Sequence, residues 1–321
     1  MRHWKRLLFL FIAIFVVVFI YFFASDKTKQ IGEIFQVDNT KSFSLIVLPD
    51  TQNYSESYPE IFCSQTDWIV ANKEKLNIVF VSQLGDIVDD GAKKMEQWAV
   101  ASKCLGKLEG IVPYSVIPGN HDFDTPHDKS SGFKSFDATF PVSRFSMYSW
   151  YGGNFENNRN NFEIINAVGM KLLFLNLEIE PSDEALAWAN GIVKAYPDSF
   201  TIISTHKYLG LGSGAPDTNL SFSKNGNVGW SIWKKLVYSN CSISMVLSGH
   251  YHGNNHITTN NSCEKPVHQI VQDYQALDNG GNGWLRIYTF TPEERKVSVS
   301  TYSPYLNKFN NKDDNKFSFS I

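Results

Sequence analysis

The chain has 321 residues, 43% of them hydrophobic and 19% charged, with 21 Gly and 12 Pro. This composition excludes disordered, collagen-like and low-complexity classes. Lys and Arg number 29 against 32 Asp and Glu, and the net charge becomes −6 once Arg2, Lys5 and Arg6 are set aside. A binder that holds nucleic acid through bulk positive charge is therefore not expected.

The first element is an uncharged run of 18 residues, Leu7 to Ala24, behind those three basic residues. It is long enough to span a bilayer as a helix. It is also longer than a usual signal-peptide core, and Phe22 spoils a small-x-small cleavage pattern before Ala24. The reading is a membrane anchor over 1–24, with a cleaved signal peptide as the alternative. Either one places the remaining chain outside the cytoplasm, because the basic flank stays inside. Residues 25–41 are polar and irregular and read as a linker.

Five apolar, β-branched runs then end abruptly in polar residues. They are FSLIVLPD to Asp50, NIVFVSQLGD to Asp86, YSVIPGNH to His121, FTIISTH to His206 and SISMVLSGH to His250. Such runs predict buried strands, and KLLFLNLE at 171–178 is a sixth. Helical spacing appears over 60–74, 94–109 and 183–196, the last with Ser182 as its N-cap. Strands alternating with helices predict an α/β fold. The stretch 253–303 reads as a closing β region. Residues 304–321 read as a tail, although FSFSI could add an edge strand. Outside the cytoplasm cysteines tend to pair. Sequence proximity favours Cys241 with Cys263 and then Cys63 with Cys104, and four free thiols are the alternative.

Each of the five runs ends in a group that can bind a metal, and in open α/β sheets ligands gather at the carboxyl ends of strands. The local groups are Asp50-Thr51-Gln52, Gly85-Asp86-Ile87-Val88-Asp89, Gly119-Asn120-His121-Asp122, Thr205-His206 and Gly249-His250-Tyr251-His252. Singly, each could be an ordinary turn. Together and in this order they resemble the calcineurin-like metallophosphoesterase family, with its pattern D-x-H, G-D-x-x-D, G-N-H-[DE], a later His and G-H-x-H. The resemblance runs from about Ser42 to Arg286. One block departs, because Gln52 stands where the family has His.

The resemblance implies a two-sheet α/β/β/α sandwich over 42–303 that holds two divalent ions, drawn from Mn, Fe, Zn or Mg. Asp50, Gln52, Asp86 and His252 would hold the first. Asp86, Asn120, His206 and His250 would hold the second, with Asp86 bridging. A neutral Gln oxygen at the first position tilts it from zinc toward oxygen-preferring ions. Two such ions clamp a phosphate and acidify a water, which is the nucleophile. His121 would serve the leaving group as a general acid. Asp122, the second catalytic candidate, and Asp89 would orient ligands, unless both are solvated turn carboxylates. Purple acid phosphatases carry Tyr where Asp89 stands, so a tyrosinate centre is not implied.

The expected activity is hydrolysis of a small phosphoester, mono- or diester. A nucleotidase or nuclease of the same fold is the alternative within enzymes. A catalytically inactive, metal-containing surface-binding protein is the alternative outside them. The expected partners are the substrate and the membrane, with no nucleic acid favoured. Asp273-Tyr274-Gln275 and the turn Gly280-Gly281-Asn282-Gly283 are read as neighbours of the pocket or as plain loop. Arg144, Arg159, His127 and Tyr208 are candidates for touching substrate, and His256 and His268 are read as surface residues.

Overall fold

The computed structural model describes residues 39–219 and 222–321. The apolar run at 7–24 and most of the linker lie outside the described residues. Among the described residues no helix is long and apolar enough to cross a membrane.

The strands are β1 (Phe43–Leu48), β2 (Ile78–Gln83), β3 (Tyr114–Ser115), β4 (Tyr151–Phe155), β5 (Asn160–Ala167), β6 (Met170–Leu177) and β7 (Phe200–Thr205). They continue with β8 (Ile243–Ser248), β9 (Asn254–Asn260), β10 (Pro266–Gln272), β11 (Leu285–Thr291), β12 (Lys296–Ser303), β13 (Lys308–Asn310) and β14 (Lys316–Ser320). The helices are α1 (Gln52–Ser57), α2 (Pro59–Asn72), α3 (Met95–Leu105), α4 (Lys134–Thr139), α5 (Asp183–Ala195) and α6 (Gly229–Ile232). One sheet has the order β13-β12-β11-β1-β2-β3, with β14 also on β12, and the other has the order β4-β5-β6-β7-β8-β10-β9.

The sheets face each other across one apolar layer. Phe43, Leu45, Val47 and Phe80 of the first sheet meet Phe174, Ile202, Met245 and Leu247 of the second, all buried. The rings of Phe80 and Phe174 stack with centroids 3.8 Å apart. Each sheet carries helices on its outer face. Trp68 of α2 packs on Tyr302 of β12, and Leu186, Ala189 and Val193 of α5 join the core behind β6, β7 and β8. The α/β/β/α arrangement follows from strands that are apolar on both faces and therefore need cover on both.

The predicted helices are present, and the Ser182 hydroxyl accepts the Ala185 N–H as an N-cap. The run YSVIPGNH keeps only two residues of strand, Tyr114–Ser115, at the sheet edge. Pro113 precedes that run and Pro118 lies within it, and neither can donate to a ladder. Residues 304–321 carry β13 and β14, both paired with β12. His256 and His268 are not surface residues. They lie between sheets, under Phe317 and Phe319 of β14, with His268 only 5% exposed. The Cys63–Cys104 and Cys241–Cys263 pairs are both disulfides.

Candidate metal centre

β1, β2 and β3 run parallel, as do β7 and β8, so their carboxyl ends lie at one rim of the sandwich. Backbone bonds tie the turns that follow. Thr51 N–H donates to Asp86 O at 2.9 Å, and Gly249 N–H donates to His206 O at 2.9 Å. Two glycines permit the close approach. A Cβ at Gly119 would lie 2.2 Å from Asp86 Oδ1, and one at Gly249 would lie 2.1 Å from Asp50 Oδ1. Asp86 and His250 themselves sit at φ +48° and +70°, left-handed backbone that non-glycine residues adopt at a cost and that clusters at functional sites.

His206 anchors the second metal position. Its Nδ1 donates to Leu84 O at 2.8 Å, which leaves Nε2 to face the site. Within 3.2–3.3 Å of that nitrogen lie Asp86 Oδ2, Asn120 Oδ1 and His250 Nδ1. Asp86, His206 and His250 thus converge as a trio that could hold a metal ion, and Asn120 joins them. Four acceptor atoms facing one another need a cation or a proton between them. Burial disfavours an imidazolium at His206, but Asp86 and Asp50 outweigh it and push the ring up to about 10. Burial raises Asp86, yet His206 and His121 hold it well below the usual carboxylate range. Burial and His206 drive His250 down to about 3, so it stays a neutral ligand. A divalent ion would take the place of the shared proton.

Asp50 and Asp86 are 2% exposed and Gln52 is 4% exposed. Asp50 accepts the His250 N–H at 3.1 Å, and burial followed by the charge of Asp273 pushes its carboxyl well up. The carbonyl Oε1 of Gln52 is buried without a hydrogen-bond partner. His252 is exposed on the cavity wall, 2.6 Å from the Gln275 amide nitrogen. Buried unpartnered acceptors suit an oxygen-preferring cation, so the residues present fit a metal pair.

His121 lies at the mouth. Its N–H donates to Asp86 Oδ1 at 2.9 Å and its Nδ1 donates to Asp89 O at 2.9 Å, with Asp89 Oδ1 at 3.3 Å. Nε2 is left for substrate. Asp122 is not a solvated turn carboxylate. It is fully buried, and its carboxylate accepts Ile87 N–H, Val88 N–H and Gly119 N–H at 2.8–3.1 Å. It clamps the two metal-binding turns together and is a positioning residue. Burial and nearby Asp86 push it up to about 7 against those three donors.

The fold brings His127, a candidate for touching substrate, to the site. It packs edge-on against His121 with centroids 4.6 Å apart, and its Nδ1 accepts the Asn120 Nδ2–H at 3.0 Å. That bond turns Asn120 Oδ1 toward His206. Together with Asp86, Asn120, His121, Leu211, His250, Tyr251, His252 and Gln275, His127 lines a cavity of ≈ 510 Å³. Among the described residues no Lys or Arg lines that wall.

The other substrate candidates lie elsewhere. Arg144 pairs with Glu109, Arg159 pairs with Asp137, and the buried Tyr208 donates to Gln269. The glycine turn does abut the site. Residues 279–283 are all left-handed, and a Cβ at Gly280 would meet Asn53 at 2.5 Å. Asp273 and Gln275 reach the site because β10 lies parallel to β8. Nothing in their local sequence marks them beyond their place at a strand end.

A sandwich of two sheets with Asp, Asn and His residues at one rim defines a metallophosphoesterase-type site. The calcineurin-like phosphoesterase family model matches residues 43–254, and the chain belongs to that family. It is 37% identical over 290 residues to the uncharacterized protein YvnB of Bacillus subtilis (strain 168), covering 87% of this chain. The chain spans about a fifth of that relative's length, 21%. Among solved structures, a dimetal phosphatase from Danio rerio aligns with TM-score 0.53 and 12% identity, covering 88% of this chain and 99% of that one. GAP50, the anchor in the inner membrane complex of Plasmodium, aligns with TM-score 0.51 and 10% identity, covering 88% and 89%. At those identities the two structures share the fold with this chain.

Proposed function

We propose that this chain is a phosphoric ester hydrolase that works with two divalent ions and acts outside the cytoplasm. The observation that carries the reading is the convergence of Asp86, Asn120, His206 and His250 beside an unliganded His121 imidazole. Asp50, Gln52, Asp86 and His252 would hold the first ion, and Asp86, Asn120, His206 and His250 the second. Bound there, the ions supply positive charge to the phosphoryl oxygens and acidify water. Among the described residues lining the cavity there is no Lys or Arg, so bound ions would supply the positive charge that a phosphate needs there.

The chain's own groups do the rest. His121 Nε2 faces the cavity and delivers a proton to the leaving oxygen. Asp89 holds the ring through Nδ1. Asp122 holds the Asp86 and Asn120 turns in register. Leu211 and Tyr251 give the ester's organic part an apolar wall.

Turnover of chromogenic mono- and diesters by the purified full chain, stripped of metal and resupplied with Mn, Mg, Zn or Fe, tests the reading. Activity that requires added metal is expected. Metal binding with no hydrolysis of any ester would favour the second reading, a surface-binding protein that keeps metal for structure, which Gln52 favours.

Two disulfides support an exported location, since such bonds persist where thiols are not kept reduced. The proposed anchor is the apolar run at 7–24. An export-dependent reporter fused at the C-terminus should be active and a cytoplasm-only reporter silent.

A further inference from the structure

The segment after β10 presses against the segment after β1. Asn53 Nδ2 donates to Gln275 O at 3.1 Å, and Gln275 Nε2 lies 2.6 Å from His252 Nε2. Asp273 sits within this contact. Its N–H donates to Gly253 O at 2.9 Å, and its Oδ1 accepts the Gln275 N–H at 2.8 Å. Its other oxygen, Oδ2, has no hydrogen-bond partner, although the residue is only 2% exposed. Gln52 Oε1 is likewise buried and unpartnered. Asp50 is likewise buried, held to the His250 N–H at 3.1 Å. Among the described residues no Lys or Arg pairs with Asp50 or Asp273. Buried carboxylates and an orphaned amide oxygen are costly unless a cation neutralises them.

We propose that Asp273 is an additional ligand of the first metal position, compensating with a carboxylate for the imidazole that Gln52 replaces. The inference rests on the metal-dependent reading above. It makes the first position an oxygen-rich site formed by Asp50, Gln52, Asp86 and Asp273 with one histidine, His252. Carboxylate and carbonyl donors suit Mn and Mg better than Zn.

The test is Mn²⁺ titration of the metal-stripped full chain, with bound metal counted by elemental analysis and thermal unfolding followed with and without Mn²⁺. Asp273→Asn keeps the acceptor for the Gln275 N–H and removes the charge. It should weaken one of two Mn²⁺ sites at least tenfold and leave the other unchanged. It should also raise the unfolding midpoint of the metal-free protein, because a buried carboxylate oxygen without a partner is no longer charged, and shrink the rise produced by Mn²⁺. A merely structural aspartate would lower the metal-free midpoint instead. Should Asp273→Asn fail to fold, Asp273→Ser is read in the same titration. Unchanged Mn²⁺ binding in the variant, with metal lost in Asp86→Asn, overturns the role of Asp273 and leaves the phosphoesterase reading standing. A wild-type chain that binds no Mn²⁺, Mg²⁺ or Zn²⁺ overturns both.

Discussion

The C-terminal strand is held by a histidine pair that should make it sensitive to acid. His268 Nε2 donates to Ser320 O at 2.9 Å, so its Nδ1 is the acceptor. His256 Nε2, at 3.2 Å, and the Thr258 hydroxyl, at 3.1 Å, both donate to that Nδ1. The rings stack on Phe317 and Phe319, which face the inter-sheet core. Protonating His268 would aim an N–H at two donors. Protonating His256 would place a cation near His268 and Arg286. Burial, then His268 and Arg286, drive His256 down to about 4, and burial lowers His268.

A histidine whose folded pKa lies below its unfolded value of 6.5 stabilises the fold above pH 6.5. That stability is lost as pH falls from 6.5 toward 4. At pH 5 the His256 difference is worth ~2 kcal/mol for a fully buried ring. Solvent screening of this half-buried one reduces it to about 1 kcal/mol. His256→Phe removes the titration and keeps the aromatic stack, at a cost of about 1 kcal/mol for the lost hydrogen bond. Urea unfolding of metal-stripped protein at pH 7.5 and pH 5, followed by tryptophan fluorescence, gives both stabilities. The wild type should lose about 1 kcal/mol more than His256→Phe between the two pH values. Comparing the two proteins cancels the titration of the metal centre, which they share. Equal losses in both would refute the reasoning.

His121→Ala should keep its metal while losing about 10²–10⁴-fold in turnover, with the smaller loss on nitrophenyl esters, which need little protonation; metal analysis and rates on alkyl and aryl esters check this. Asp122→Asn leaves an N–H of the Ile87, Val88 and Gly119 set unpaired and should cost about 2–3 kcal/mol in urea unfolding at pH 7.5. His127→Ala frees the Asn120 amide to rotate and should weaken one Mn²⁺ site about 10–100-fold in calorimetric titration, with His127→Gln, which offers an acceptor, recovering part of it.

The strand-end residues were legible because their chemistry and their position are both local. Asp50, Asp86, Asn120, His206 and His250 each follow an apolar run within a few residues, and a parallel sheet brings such ends to one rim. Asp122 could be seen as a candidate, but its role could not, because its partners at Ile87 and Val88 are more than thirty residues away in the chain. Strands β4 and β5 were missed. The first is short and half-exposed, and β5 mixes Asn and Glu with its apolar residues, burying them in a polar network of Asn161, Glu163 and Asn176.

By itself the sequence determined the family, the alternation of strands and helices, and the ligand types at five turns, since each depends on neighbours a few residues apart. Tertiary structure alone decided the rest. It inserted β10 between β8 and β9, and so set Gln275 beside His252. It laid β14 over His256 and His268, leaving one apparent surface residue half-buried and the other buried. It brought His127 under Asn120 through a left-handed turn. Strand order and the approach of distant loops depend on which faces can be buried together, and no local pattern of residues encodes that.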